Sequence, residues 1–371
     1  MHSLQRYGYD YWHDAAARNE IGTIGAVREM IEDLPLTDIL KLADQLAREQ
    51  VGDLVTFTAS YNINYTNYCA ASCPICAFYV PLRAKKHANG GYVLTPEQVR
   101  REAEKAKALG ATEIHIVGGF NGDLSIEYYE EIFRSVKETI PEAILKALTI
   151  PEYDFIARIT GNSLREVALR FKDAGVEAHT GGGAEIFDPD VRRQITTPQK
   201  IDGERWIEDA ELLHSLGLRG NSTITYGHVE SLDHIIDHLL RLRKSQMKIP
   251  GFLSLIPLKF SPYGTALQRM GRVTQPAPAA LDLLVTALAR IIDGPTIRNI
   301  SVYWVAIGKR IAQIAIDSGG NDLVGTAFSE KVFLSTSRNE VSTAEELSEL
   351  IRQTGKIPAL RDTFYRILRY T

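Results

Sequence analysis

The sequence predicts an α/β fold built as one radially closed (β/α)8-type TIM barrel, and three observations carry that expectation. Strand-like and helix-like segments alternate through about eight βα units from residue 54 onward, which favours a parallel sheet with helical crossovers. No G-x-G-x-x-G follows the first strand, and no long composition break separates two domains, so a doubly wound open sheet is the weaker rival. The residues best suited to chemistry fall in loops that follow strands, where barrels place their sites.

Taken in order, residues 1–51 read as a charged helical extension, amphipathic over Leu36–Glu49. The segment Leu54–Ile63 is rich in β-branched and aromatic residues and reads as the first strand. Thr95-Pro96-Glu97-Gln98 forms a capping box with proline at the first helical position. Val99, Ala103 and Ala106 mark one apolar helix face, and Gly110 supplies the stop. Strand Thr112–Val117, helix Ile126–Thr139, strand Ile144–Leu148 and helical turns to Ala174 follow. Next come strand Val176–His179, a glycine loop, helix Gly203–Leu216, strand Arg219–Thr225, helix Ser231–Met247 and strand Phe252–Leu258. Helix Pro278–Ile292, strand Asn299–Trp304, helix Gly308–Ser318 and a short strand near Asp322–Ala327 complete the alternation. The expected division is an N-terminal helical extension at 1–51, a barrel core at 52–330, and a C-terminal helical segment at 331–371 packed on the barrel, whose final helix starts on the capping box Thr343–Glu346.

Composition narrows the class. Among 371 residues, 44% hydrophobic and 24% charged is the balance of an ordinary globular protein, which excludes disorder over most of the chain. A formal net charge of −4 does not supply the basic surface that non-specific nucleic-acid binding requires, so no nucleic-acid partner is expected. No apolar run reaches the ~20 residues of a membrane span. The N-terminal residues lack the pattern of a signal peptide, so the expected location is cytoplasmic, with no membrane partner.

All three cysteines, Cys69, Cys73 and Cys76, lie in the loop after the first strand. An odd number of clustered thiols does not suggest a disulfide framework. They suit three corners of a four-iron, four-sulfur (4Fe–4S) cluster. With no fourth cysteine in the chain, one iron stays open to a small ligand. Zinc with a histidine as fourth ligand is the alternative, but Cys73 and Cys76 form the lone CxxC, and His234 and His238 stand far along the chain.

Cys69-Ala-Ala-Ser-Cys73-Pro-Ile75-Cys76 resembles the CxxxCxφC signature of the radical SAM superfamily. That resemblance implies a 4Fe–4S cluster held by Cys69, Cys73 and Cys76, with S-adenosylmethionine chelated at the open iron. It also implies a ferredoxin- or flavodoxin-type reductant, and cofactor contacts from the adjoining Phe78 and Tyr79. Gly118-Gly119 stands where the superfamily has a glycine-rich turn that meets the methionyl amine, although ordinary strand-end turns use the same pair. Thr149 and Glu152 are candidate nucleoside contacts, Glu152 alternatively favouring the helix N-terminus. Gly181-Gly182-Gly183 allows close backbone approach, and Glu185 is a candidate both for cofactor binding and for catalysis; a tight turn with Glu185 as a helix cap is the plain reading. Arg192 or Arg193 could grip the methionyl carboxylate in a bidentate fork, or simply lie on a helix surface.

The stretches Asn62–Asn67, Gly181–Arg192, Tyr226–Glu230 and Ile256–Leu258, with Gly320–Leu323 and Arg361–Thr363, are similar to the menaquinone enzymes of the futalosine pathway. GGGAEIFDP and TEIHIVGG resemble aminofutalosine synthase most. Dehypoxanthine futalosine cyclase and the deazaflavin-cofactor synthase are sister alternatives that would act on another small molecule. The main resemblance implies addition of an adenosyl radical to the enol ether 3-[(1-carboxyvinyl)oxy]benzoate, giving 6-amino-6-deoxyfutalosine. Such an aryl enol ether with two carboxylates needs cationic or hydroxyl donors. The candidates are Tyr226, His228, Lys259 and Thr265 at strand ends, with Asn121 and His179 beside them; His228 joins Glu185 as a catalytic candidate. His228 could instead cap a turn, Thr265 could be a helix N-cap and Lys259 could be solvated. His115 reads as a barrel-layer residue, and Arg83–His87 as a solvated loop rather than a carboxylate clamp. The chain departs from that group at Phe120–Gly122, at His179-Thr180 and at Val80, all around the substrate end.

Overall fold

The computed structural model describes residues 6–83, 90–332, 335 and 342–371; residues 84–87 of the Arg83–His87 run lie outside them. Three helices, α1 (Tyr9–Ala17), α2 (Ile24–Asp33) and α3 (Leu36–Val51), precede β1 (Leu54–Thr58) and β2 (Ser60–Asn64), which are one barrel strand broken at Ala59. The cysteine loop holds a short parallel pair, β3 (Tyr68–Cys69) and β4 (Val80–Pro81). Then come α4 (Pro96–Ala108), β5 (Glu113–Val117), α5 (Ile126–Thr139), β6 (Ile144–Thr149), α6 (Ile150–Thr160), α7 (Leu164–Asp173) and β7 (Ala178–Thr180). The next elements are α8 (Pro189–Ile195), α9 (Gly203–Ser215), β8 (Arg219–Tyr226), α10 (Leu232–Lys248), β9 (Phe252–Lys259), α11 (Ala266–Arg269) and α12 (Ala279–Asp293). Last are β10 (Ser301–Val302), α13 (Trp304–Ile307), α14 (Lys309–Ile316), β11 (Asp322–Gly325), α15 (Ala344–Arg352), β12 (Ile357–Arg361) and β13 (Ile367–Tyr370).

Strands β2-β5-β6-β7-β8-β9 form one parallel sheet, and β10-β11-β1 continue it in parallel. Bridges Leu255↔Ile300 and Tyr61↔Phe328 close the two arcs into a (β/α)8 barrel. Closure buries both faces of the strands and leaves side chains alternating between the lumen and the helix layer. The capping boxes read from sequence at Thr95 and Thr343 form as expected and start α4 and α15.

Helix α12 is apolar almost all round and buried because α3 covers its outer side, which gives the N-terminal extension a packing role. Arg243 of α10 donates to the carbonyls of Asn19 and Ile21, and the Arg28–Asp233 ion pair ties α2 to α10.

The segment 331–371 differs from the helical expectation. It holds α15, the helix of the eighth βα unit, and then the strand pair β12–β13. Strand β12 lies parallel to β1, because the break at Ala59 gives only β2 to β5 and leaves the lower edge of β1 unpaired. The end of β12 and the residues after it close the barrel floor: Arg361 makes a bidentate pair with Asp322, at 2.6 and 2.8 Å, and the Thr363 hydroxyl donates to Glu113 at 2.7 Å.

Candidate active site

A cavity of about 290 Å³ opens at the C-terminal ends of β2, β5 and β6, the end where barrels carry their chemistry. Cys69, Cys73 and Cys76 all line it. Their loop is tied down from several directions. The Ala70 N–H donates to Phe120 O at 2.8 Å, the Leu267 N–H donates to Pro74 O at 3.2 Å, and the Thr197 hydroxyl donates to Ala71 O. Burial pushes the Cys73 thiol up, opposed by the Lys200 ammonium, and pushes Cys76 up to about 11, opposed by the N–H groups of Phe78 and Tyr79.

Among the described residues, no three His, Cys, Asp or Glu side chains converge on a single metal ion, and no histidine lines the cavity. A tetrahedral zinc site is therefore not preformed. Three thiols around one cavity fit a 4Fe–4S cluster, which takes each thiolate on a different iron and needs them further apart. His234 is occupied at the start of α10 by Ser231, and His238 is buried with Nε2 on Thr223 O.

Of the residues singled out from sequence, Phe78, Tyr79, Gly118, Gly119, Thr149, Glu152 and Glu185 line the same cavity. A Cβ on Gly119 would stand 2.2 Å from Tyr68 O, and one on Gly118 would stand 2.6 Å from the Tyr65 ring, so packing alone demands both glycines. The Gly118 N–H donates to Glu152 and the Gly119 N–H to Thr66 O, which leaves carbonyls as the acceptors this turn can offer an amine.

Glu152 is fully engaged within the protein. Oε1 accepts from Tyr65 and from Gly118 N–H, each at 2.9 Å; Oε2 accepts from the Thr149 N–H and hydroxyl, each at 2.7 Å. It therefore orients the glycine turn and caps α6 in place of the expected nucleoside contact. Glu185 takes a left-handed backbone at φ 49°. Burial by itself would raise its carboxyl, but the Lys200 ammonium overrides that and, with Arg192 and the Thr225 hydroxyl, holds it at about 2. Lys200 also lines the cavity and lies near Cys73, yet nothing in its loop sequence marks it. Asn64, at the end of β2, is a second lining residue not expected from sequence.

The other candidates lie elsewhere. Buried Arg192 donates to the carbonyls of Gly183, Ala184, Ile186 and Ile201, so it braces the glycine loop and has no fork left for a carboxylate. Arg193 pairs with Asp190 on the exposed side of α8. Tyr226 donates to Asp282 at 2.9 Å and Lys259 pairs with the same carboxylate at 2.8 Å, because both face the helix layer. His228 is held by Glu230 and by Thr225 O in the turn after β8, and Thr265 caps α11. The Asn121 carbonyl and side chain organise the turn to Leu124. His179 points outward to α9, where its Nε2 meets His214 Nε2 at 3.1 Å.

The fold and the cysteine cavity together define a radical SAM enzyme, and residues 63–242 match the family described as Radical SAM superfamily. The enzyme carries a 4Fe–4S cluster and uses S-adenosylmethionine. Two solved structures share its fold: methylornithine synthase, with a TM-score of 0.70, 14% identity and coverage of 94% of this chain and 97% of that one, and the FeFe-hydrogenase maturase of Carboxydothermus hydrogenoformans, with 0.73, 14%, 96% and 80%. Residues 249–371 match the CofH/MqnC C-terminal region.

More particularly, the chain belongs to the family of 5-amino-6-(D-ribitylamino)uracil--L-tyrosine 4-hydroxyphenyl transferases. The enzyme of that name from Archaeoglobus fulgidus is 35% identical over 92% of this chain and 99% of its own length. A Methanosarcina barkeri enzyme is 35% identical over 89% of this chain and 84% of its own. This corrects the resemblance to aminofutalosine synthase, and with it the enol-ether acceptor and the menaquinone assignment. The sister alternative of the deazaflavin-synthase type, acting on another small molecule, is the better match. No described helix is long and apolar enough to cross a membrane.

Proposed function

We propose that this radical SAM transferase moves the group bearing the 4-hydroxyphenyl ring from L-tyrosine to 5-amino-6-(D-ribitylamino)uracil, a carbon–carbon bond of tyrosine breaking and its amino-acid remainder leaving as a separate product. The observation that carries this reading is the continuous match to enzymes named for that reaction, over 84 to 99% of their length in the two cases above. When bound, the reduced cluster supplies the electron that cleaves S-adenosylmethionine to a 5′-deoxyadenosyl radical. The chain's part is to hold and enclose. Cys69, Cys73 and Cys76 would hold the cluster, and the Gly118–Gly119 carbonyls would receive the methionyl amine. Phe78, Tyr79 and Phe120 give the cavity apolar walls, which keep water from a reactive intermediate. The Glu185–Lys200 pair sets a fixed dipole beside Cys73. A ferredoxin- or flavodoxin-type protein would deliver the electron.

The test is anaerobic turnover of reconstituted protein with reductant, S-adenosylmethionine, tyrosine and the aminouracil, followed by mass spectrometry. A product carrying both the pyrimidine and the 4-hydroxyphenyl mass is expected. Cleavage of S-adenosylmethionine with neither co-substrate consumed would retain the radical chemistry and sink this substrate pair.

A further inference from the structure

Beneath the cofactor cavity the barrel lumen holds polar side chains that the protein itself leaves unpaired. Asn64 lines the cavity and Val117 lines it from β5, so by strand alternation Asn62 and His115 face the same lumen, paired in register on β2 and β5. Thr225 reaches Glu185 in the cavity, which places Asn221 of the same strand on the inner face as well. Thr180 is the register partner of cavity-lining Thr149.

Asn64 Oδ1 and Thr180 Oγ1 are buried with no hydrogen-bond partner, in residues only 2% exposed each. The side chains of Asn62, His115 and Asn221 hydrogen-bond to no other described residue, and Asn62 and His115 remain partly accessible although they stand inside a closed barrel. Buried polar groups are normally satisfied, so this many open donors and acceptors in one lumen call for a polar occupant. The lumen's charges, by contrast, are already neutralised. Lys146 pairs with Glu113 at 2.6 Å, Lys200 pairs with Glu185, and Arg361 pairs with Asp322. What stays open is amide, hydroxyl and imidazole.

We propose that this lumen, through Asn62, Asn64, His115, Thr180 and Asn221, seats the neutral, hydroxyl-rich pyrimidine acceptor and not the zwitterionic amino acid. The assignment rests on the transferase reading above. A free amino acid brings one ammonium and one carboxylate, each needing an uncompensated counter-charge that the lumen does not offer. A pyrimidine edge and a polyol chain bring only neutral donors and acceptors, which amides, hydroxyls and a neutral imidazole satisfy in either direction.

The test uses the cluster-loaded enzyme in two readouts. Calorimetric titration of 5-amino-6-(D-ribitylamino)uracil into the unreduced enzyme with S-adenosylmethionine gives its Kd, and turnover gives a separate KM for each co-substrate. His115→Leu and Asn221→Leu are each expected to raise the aminouracil Kd and KM about tenfold or more, while leaving the tyrosine KM within about twofold. His115→Gln, which keeps a donor and an acceptor, should recover most of the loss. Asn62→Ala serves where a leucine variant fails to fold, as judged by its thermal melt. Wild-type enzyme that makes the adduct, with variants that shift the tyrosine KM or leave the aminouracil Kd unchanged, would overturn the lumen assignment alone. Wild-type enzyme that neither binds the aminouracil nor forms the adduct would overturn the transferase reading itself.

Discussion

Lys200 and Glu185 form a buried pair beside Cys73, and each compensates the other's loss of hydration. Removing one partner strands a charge, at a cost of about 3–5 kcal/mol, whereas removing both leaves a neutral contact. Lys200→Met is therefore expected to lower urea-unfolding stability by about that amount, and Glu185→Gln in the same chain to restore much of it. A double variant as unstable as Lys200→Met would show that the pair is not coupled. Buried histidines make a second statement at this scale. Burial depresses His179 and His238 to about 3 and His214 to about 4, below the unfolded value of about 6.5. The unfolded chain thus binds protons that the folded chain refuses, so their stabilisation is complete above about pH 6.5 and drains away as the pH falls toward 4. Replacing His238 with Gln should flatten the decline between pH 6.5 and 5 by up to about 1.4 kcal/mol per pH unit. Unfolding curves at pH 7, 6 and 5 decide it, and parallel slopes for the two proteins would contradict it.

Between elements, one close fit is that of the β5 end against the cysteine loop. Gly119 lets Tyr68 O and Cys69 Cβ approach within distances that no side chain tolerates. Gly119→Ala should push the loop outward while the barrel stays folded, giving protein with an intact far-UV spectrum and iron content reduced several-fold after reconstitution. Full iron loading in that variant would show that the loop absorbs the methyl group. The long elements were legible in the sequence because period and caps agree: α5 spans Ile126–Thr139 as its pattern requires, and β6 and β8 each run one residue past their expected ends. The short ones were not. Asn299–Trp304 reads as a strand, but only Ser301–Val302 forms a regular strand, Ile300 adds a single bridge to Leu255, and Trp304 turns into α13 with its indole N–H on Gly325 O. Strand β12 carries Pro358 and an apolar run too short to tell from the end of a helix, and its partner β1 lies some three hundred residues earlier.

At the scale of the molecule, the C-terminal strand pair and the residues between its strands close the floor of the barrel. Asp322 accepts from Arg361, Thr56 and Ser301, which links β11, β12, β1 and β10 through one carboxylate. Arg361→Met should cost about 3–5 kcal/mol by leaving that carboxylate buried without its counter-ion. Removal of residues 357–371 should abolish near-UV circular dichroism and raise dye binding, since β1 loses its partner and the floor opens. A truncated chain with native near-UV signal would refute this role.

The sequence by itself determined the βα alternation and the gathering of three cysteines at one cavity, because each is encoded locally: periodicity within a segment, and three thiols in one loop. Of its departures at Phe120–Gly122, His179-Thr180 and Val80, only Phe120 lines the cavity. Only the tertiary structure decided which polar residues face the chemistry. In a closed barrel a shift of one position moves a side chain from lumen to helix layer, so Thr225 meets Glu185 while Tyr226 and Lys259 turn away to Asp282. Lys200 lies near Cys73 from a loop with no motif, Arg192 spends its donors on the carbonyls of Gly183, Ala184, Ile186 and Ile201, and Glu152 accepts from Tyr65, Gly118 and Thr149. Such roles depend on distances between segments remote in sequence, which closure of the barrel fixes and local pattern does not encode.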